Sequence, residues 1–201
     1  MKEIVFVTGN SGKRKSAEKY LKDTVVTCLD FNFIEPNINN IEYIAKEKVL
    51  DAYKNVNKPC IALDAGFYIP NYPNNPNFPG AFPKREILDT IGIVGLLENM
   101  KDVTDRNCYF KECLAYYDGE DIKYFYGISK GRLSTEIKGN NSTKKWSELW
   151  YVFIPDNNSK TLAEMTDEER QNRNDLSTSA IEEFGKWYNE IKVFKKAKVN
   201  N

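Results

Sequence analysis

The chain has 201 residues, of which 41% are hydrophobic, 13% aromatic and 29% charged, the balance of a globular protein with its own core. Its 29 basic and 29 acidic residues cancel, which argues against a general electrostatic grip on nucleic acid or membrane and leaves room only for a local basic pocket. There is no histidine, so Ser-His-Asp and Cys-His catalysis and His-bound zinc are excluded together, and chemistry falls to carboxylates, lysines, arginines, hydroxyls, tyrosines or a bound hard cation.

In chain order, Glu3 to Val7 reads as a buried strand and Lys13 to Lys22 as a helix with Ala17, Tyr20 and Leu21 apolar. A short strand follows over Val25 to Leu29. Asn40 to Asn55 places Ile41, Ile44, Ala45, Val49, Ala52 and Tyr53 at helical spacing, which predicts an amphipathic helix. An apolar run from Cys60 to Leu63 predicts a third strand, ending in Asp64-Ala65-Gly66. This alternation of strand and helix predicts an α/β domain with a partly parallel sheet.

Prolines at 70, 73, 76, 79 and 83 make Tyr68 to Pro83 a long irregular loop, a length that points to function. Glu86 to Met100 reads as helix. Asn107 to Tyr117 and Ile122 to Ile128 read as strands joined through Asp118-Gly119, a hairpin signal. Gly131 to Ile137 reads as another strand, Lys138 to Ser147 as a polar loop, and Leu149 to Ile154 as a β-prone stretch stopped by Pro155. Ser177 to Lys192 predicts a final helix with a basic, frayed tail. Neither a repeat nor a linker breaks the chain, so one domain over 1–201 is expected.

No apolar run reaches the length of a membrane helix, and no signal-peptide pattern opens the chain, which predicts a cytoplasmic protein without membrane partners. Cys28, Cys60, Cys108 and Cys113 form no C-x-x-C pair and read as reduced, mostly core thiols.

The stretch Thr8-Gly9-Asn10 leads from a strand into a helix that opens with Lys13, Arg14 and Lys15. Backbone N–H groups and the positive helix end there suit an anion, and basic charge at that end calls for something negative to offset it. An Asn cap with solvated lysines is the equal alternative. The G-x-x-x-x-G-K-[ST] phosphate loop is absent. Asp64, just past a buried strand, is expected at the C-terminal edge of the sheet, where ligands of open α/β sheets gather. Glu35 and Glu42 flank the approach to the second long helix, where Glu42 on its own is best read as stabilising a helix N-terminus. Converging carboxylates beside a basic cradle suit Mg²⁺ bridged to phosphates. After Phe78-Pro79-Gly80, Lys84 and Arg85 add two cations able to reach phosphate oxygens.

In order, T-G-N-x-x-K at 8–13, Asp-Ala-Gly at 64–66, Phe-Pro-Gly at 78–80 with Arg85, Phe153-x-Pro155, Thr161-Leu-Ala-Glu-Met165 and Arg173-Asn174-x-x-Ser177 span nearly the whole chain. Together they resemble the inosine triphosphate pyrophosphatase family, enzymes of non-standard purine nucleotides. The resemblance implies a two-lobed α/β mixed-sheet fold with flanking helices, a nucleotide cleft between the lobes and a homodimer. It implies Mg²⁺-dependent hydrolysis of a nucleoside triphosphate to the monophosphate and pyrophosphate. Thr8, Asn10 and Lys13 would cradle the phosphates, assisted by Lys84 or Arg85. Glu35 would bind metal, and Asp64 would bind metal or activate the attacking water, with Asp64 and Lys13 the catalytic pair.

The chain also departs from the family pattern. Leu63 stands where the first of two adjacent acids is expected, Ser16 where a glutamate is expected, and Glu47, beside Lys46, where a lysine is expected. Leu149-Trp150-Tyr151 replaces an aromatic-Asp-Pro segment, and Ser177-Thr178-Ser179 replaces Ser-His-Arg, which reads the purine edge in the family. Trp146, Trp150 and Tyr151 are candidates for stacking on a base or for core packing. Arg173, Ser177 and Thr178 are candidate substrate contacts. Two alternatives follow from the departures: a nucleotide-binding or regulatory protein of the same fold with weak or lost hydrolysis, or a pyrophosphatase retuned to another base.

Overall fold

The computed structural model describes residues 2–30, 33–139, 147–173 and 176–199. Trp146, Asn174 and residues 140–145 lie outside the described residues. Strand β1 (Lys2–Val7) leads into α1 (Ser11–Tyr20), β2 (Thr24–Leu29), α2 (Ile41–Val56) and β3 (Cys60–Ile69). Then come β4 (Phe78–Gly80), α3 (Gly92–Asn99), β5 (Asn107–Tyr117), β6 (Ile122–Leu133), β7 (Phe153–Pro155), α4 (Asp167–Gln171) and α5 (Ala180–Val199). The seven strands make one mixed sheet ordered β2-β1-β3-β5-β6-β7, with β4 paired to β3.

β1 runs parallel to both neighbours, with Val7 opposite Leu29 in β2 and Ala62 in β3. The crossover through α1 leaves β1 for one side and that through α2 arrives on the other, so the C-terminal end of β1 is a point where strand order reverses. Crevices for ligands open at such points. β1 is buried through Ile4, Phe6, Val5 and Val7, the near-continuous apolar run of a strand covered on both faces.

The residues group into two compact units. The first contains the chain up to Ala65, Glu112–Gly127 and Thr178 onwards. Its core joins Ile4 and Phe6 of β1, Ile61 and Leu63 of β3, and Leu114 and Tyr116 of β5 to Ala17 and Leu21 of α1 and to Ile181, Phe184 and Tyr188 of α5. By strand alternation Val5 and Val7 face the other way, the side on which α2 buries Ile41, Ile44, Ala45, Val49 and Ala52. The second unit contains Gly66–Lys111 and Ile128–Ser177. Its core gathers Phe67, Ile87, Leu96, Met100, Leu133, Val152, Phe153 and Leu162.

Several elements differ from their sequence patterns for local reasons. The third strand does not stop at Leu63 but runs on through Asp64-Ala65-Gly66 to Ile69, where it turns antiparallel to β4, Phe67 facing Gly80. The irregular loop thus shrinks to residues 70–77. The helix expected over Glu86 to Met100 divides into a π-helical turn, Lys84–Leu88, and α3, because Gly92 takes φ +65 at the break. The two strands expected over Ile122 to Ile128 and Gly131 to Ile137 merge into the single strand β6, which ends at Leu133 and leaves residues 134–137 outside the sheet.

Glu148–Tyr151 is a 3₁₀ turn capped by Ser147, so only Phe153–Pro155 of the β-prone stretch pairs, as an edge strand beside β6. α4 went unanticipated although Thr166 and Glu169 form its capping box. The last helix starts three residues later than its pattern suggests, at Ala180, and extends through Val199 in place of a frayed tail. None of the four cysteines forms a disulfide and three of them are buried, as their spacing predicts.

Candidate active site

The turn from β1 into α1 is built by its own side chains. Asn10 caps the helix, its Oδ1 accepting from the backbone N–H groups of Gly12 and Lys13 at 2.8 and 3.2 Å, and Thr8 Oγ1 accepts from the Asn10 N–H at 3.0 Å. The cap reading of Asn10 is therefore realised. Gly9 lets the Asp30 carboxylate lie close, since a Cβ there would stand 2.6 Å from Asp30 Oδ2, the end of a flexible side chain. Of the three basic residues, Arg14 pairs with Glu18 one turn away at 2.8 Å and Lys15 is exposed. Those two charges are surface charge after all and call for no bound anion. Lys13 alone turns inward, its Nζ donating to the Leu63 carbonyl at 3.0 Å. Burial lowers its pKa, opposed chiefly by the Asp64 carboxylate and less by Glu112 and Glu35.

Asp64 lies on β3 two residues beyond the pairing of Ala62 with Val7, so it projects past the end of β1 although its own strand continues. This keeps the expected position by a different route. Ile61 and Leu63 face the α1–α5 core, so Asp64 faces the α2 side. There the Lys48 ammonium lies 3.0 Å from Glu35 Oε1 and 4.0 Å from Asp64 Oδ1. Asp64 Oδ2 is buried and accepts no hydrogen bond. Burial pushes the Asp64 carboxyl up to about 6, against the pull of Lys48 and Lys13.

Lys48 stands one residue beyond Glu47, the position at which the resemblance implies a lysine. Its signal was present in the sequence: Ile41, Ile44, Ala45, Lys48, Val49 and Ala52 share one helical face, and an ammonium in an apolar stripe needs a partner. Leu63 is 4% exposed and contributes its side chain to the core and its carbonyl to Lys13.

Glu112 was also missed. It alternates with Leu114 and Tyr116 on the apolar face of β5, the position a buried acid betrays itself by. Its Oε2 accepts from the Ala180 N–H at 3.2 Å and so holds the start of α5. Burial raises its pKa, opposed by that N–H and by Lys13. Gly127 makes room for this join: a Cβ there would stand 2.7 Å from Ala180 N, 2.7 Å from Glu112 Oε2 and 2.8 Å from the Thr178 carbonyl. Glu42, in the first turn of α2, accepts from the Tyr126 hydroxyl and joins the helix start, the structural role expected of it.

Thr8, Asn10, Lys13, Glu35 and Lys48 line one cavity of about 270 Å³ with Gly9, Asp30, Phe33 and Leu63. The structure thus brings together Thr8, Asn10, Lys13, Glu35 and, through Lys48, Asp64.

The remaining candidates belong to the second unit, except Thr178, which opens the last segment of the first. Lys84 pairs with Asp89 at 2.7 Å, and Arg85 pairs with Glu86 at 2.7 Å while lying 3.9 Å over the Phe82 ring. Trp150 packs against the second unit's core with the Arg170 guanidinium 5.2 Å from its ring, so core packing is realised for it. Arg173 donates to Ser177 Oγ at 3.3 Å, and Ser177 Oγ donates to Ser129 Oγ at 3.0 Å.

Two carboxylates around one ammonium, with a buried unpartnered oxygen on Asp64, are oxygen donors suited to a hard dication that draws its other ligands from phosphates and water. Among the described residues no group of three or more His, Cys, Asp or Glu side chains is placed to hold a metal unaided. No helix among them is long and apolar enough to cross a membrane.

A model of the Ham1 family matches residues 4–187. The dITP/XTP pyrophosphatase of Thermococcus kodakarensis is 30% identical over 189 residues, 93% of this chain and 97% of that one. The dITP/XTP pyrophosphatase of Saccharolobus solfataricus is 33% identical over 158 residues, 77% and 76% of the two chains. The fold matches the Ham1 protein of Staphylococcus aureus with a TM-score of 0.78 at 24% identity, covering 94% of this chain and 99% of that one. The family model spans the β1–α1 turn, the Asp64 strand and the helix that carries Lys48. The chain therefore belongs to the Ham1 family, the inosine triphosphate pyrophosphatase family that its ordered motifs resemble, and is a nucleoside triphosphate pyrophosphohydrolase, a hydrolase of phosphoric anhydrides.

Proposed function

We propose that the first-unit cavity binds the triphosphate of an NTP or dNTP with Mg²⁺, and that Asp64 and Lys13 carry the hydrolysis there to the monophosphate and pyrophosphate. The observation that carries this reading is Asp64 Oδ2, buried without a partner beside Lys48, Glu35 and Lys13. A buried carboxylate oxygen that no protein group satisfies suits a ligand brought from outside. Glu35 and Asp64 would hold the cation, which when bound neutralises phosphate charge and polarises the phosphorus under attack.

The chain's own groups do the rest. The N–H groups at the start of α1 and the Lys13 ammonium fix the phosphate oxygens. Asp64 orients a water towards the α-phosphorus and accepts its proton. The P–O bond between the α- and β-phosphates breaks, and pyrophosphate leaves against the two lysines.

Thr8 and Asn10 set that turn, and Lys84, Arg85, Trp150, Arg173, Ser177 and Thr178 stay proposed substrate contacts. The two units are read as parts of a single NTP pyrophosphatase domain, acting as a homodimer in the cytoplasm; family membership supports the dimer, which sedimentation checks.

The relatives are named for dITP and XTP, and those are the first substrates to try. Ser177-Thr178-Ser179 and Trp150, in place of the family's base-reading residues, favour a retuned base as the second reading. A pyrophosphate-release screen over standard, deaminated and modified NTPs and dNTPs with Mg²⁺ tests both. Turnover of any member that is lost in Asp64→Asn and Lys13→Ala and on chelation supports the reading. Variants matching the wild type across the panel would sink it.

A further inference from the structure

Lys48 does more than complete a charge cluster. Its ammonium is 3.0 Å from Glu35 and 4.0 Å from Asp64, the two carboxylates read above as cation ligands, and its side chain is only 16% exposed. It stands on the buried face of α2 between Ile44 and Val49, so its stem is held by packing while its head reaches the cavity. The Phe33 ring, 5.4 Å from Nζ, closes another side. An ammonium placed so supplies one positive charge where a dication would supply two, and the two cations cannot both neutralise the same pair of oxygens.

We propose that Lys48 is a built-in counter-cation that competes with the metal for Glu35 and Asp64 and thereby couples metal binding to the arrival of a polyanion; this rests on the placement of the metal given under Proposed function. The charge balance gives the reason. Glu35 and Asp64 both lie within 4.0 Å of the Lys48 ammonium, so the protein without substrate already gives these two carboxylates a cation of its own. A dication alone leaves two uncompensated lysines in a half-buried cavity, and a triphosphate alone meets two carboxylates. With both present each group has an opposite neighbour: the metal takes the carboxylates, and the released ammonium turns to phosphate. The consequence is weak affinity for the free metal and strong affinity for it in company with a triphosphate. Lys48 acts as a positioning residue in this exchange, and Lys13, tied to the Leu63 carbonyl, stays in place throughout.

The test counts bound Mn²⁺ by electron paramagnetic resonance on the full chain, stripped with chelator, without nucleotide. Lys48→Met is expected to bind Mn²⁺ on the order of tenfold more tightly than the wild type, the lower end of what an opposite charge within about 4–6 Å does to a carboxylate's proton affinity. Lys48→Arg, which restores the charge, is expected to return to wild-type affinity, and this separates competition from a loss of packing. An α,β-methylene triphosphate analogue is expected to raise Mn²⁺ retention strongly in the wild type and little in Lys48→Met. Equal or weaker Mn²⁺ binding by a folded Lys48→Met overturns the proposal. If Asp64→Asn leaves Mn²⁺ binding untouched in both backgrounds, the metal placement itself falls and the Lys48 proposal with it. Tighter binding in Lys48→Met that Asp64→Asn abolishes upholds both.

Discussion

Replacing Asp64 by asparagine is expected to stabilise the protein while abolishing turnover, and the stabilisation carries a pH signature. Asp64 is 14% exposed on its side chain, Oδ2 is unpartnered, and its carboxyl is pushed up to about 6 by burial. The folded chain therefore holds this proton more tightly than the unfolded chain, whose aspartates titrate near 3.9. Between about pH 4 and 6 the folded state binds more protons, so stability falls as pH rises through that window and stays reduced above it. A roughly hundredfold difference in proton affinity corresponds to about 2.7 kcal/mol, a ceiling reduced by whatever relaxation the cavity allows. Asparagine is neutral throughout and carries no such penalty.

The assay is urea unfolding of wild type and Asp64→Asn in chelator at about pH 4 and about pH 7.5, with ΔG taken by linear extrapolation. The variant should gain about 2 kcal/mol on the wild type between the two pH values. A difference that does not change with pH, or one that changes the other way, refutes the account of Asp64 as a desolvated, uncompensated carboxylate.

Gly127→Ala should cost about 1–3 kcal/mol in the same unfolding assay, because its Cβ meets the Ala180 N, Glu112 and Thr178 atoms at 2.7–2.8 Å, two of them backbone; a cost under a few tenths would show that the join is soft. Phe184→Ala should cost about 3–5 kcal/mol, since Phe184 is fully buried against Tyr116, Phe125 and Tyr188. Gly9→Ala should unfold at nearly the wild-type urea midpoint, since the Asp30 carboxylate it meets can swing aside, yet raise KM as the cavity narrows; a large loss of stability would contradict that.

The sheet's first half was legible because each element there speaks through one strong pattern. The β1–α1 turn, the α2 stripe and the full extent of β5 match their spacing. Asp64 was found by its place after a buried run, although β3 continues past it. The second unit was harder. Its edge strands β4 and β7 have three residues each, too short for periodicity, and the Gly92 break in the helix after Arg85 depends on a backbone angle. Lys48 and Glu112 escaped notice because charge was sought in loops and turns, whereas these two sit inside apolar faces and are recognised by their burial. Arg14 and Lys15 show the opposite case: their cluster suits a bound anion and solvated side chains equally, and Glu18 one turn away, which answers Arg14, decides for the second.

The first unit is assembled from three separate stretches of chain, and the last is α5. Ile181, Phe184 and Tyr188 complete a core whose other walls are β1, β3, β5 and α1. During synthesis, the cradle of Thr8 to Lys13 is made well before α5, yet its foundation cannot close until that helix follows. Both segments of the second unit are out by then and can settle on their own core. A chain interrupted before α5 would thus carry Thr8 to Lys13 without a stable floor beneath them, the apolar faces of β1, β3 and β5 left open to solvent and to proteolysis.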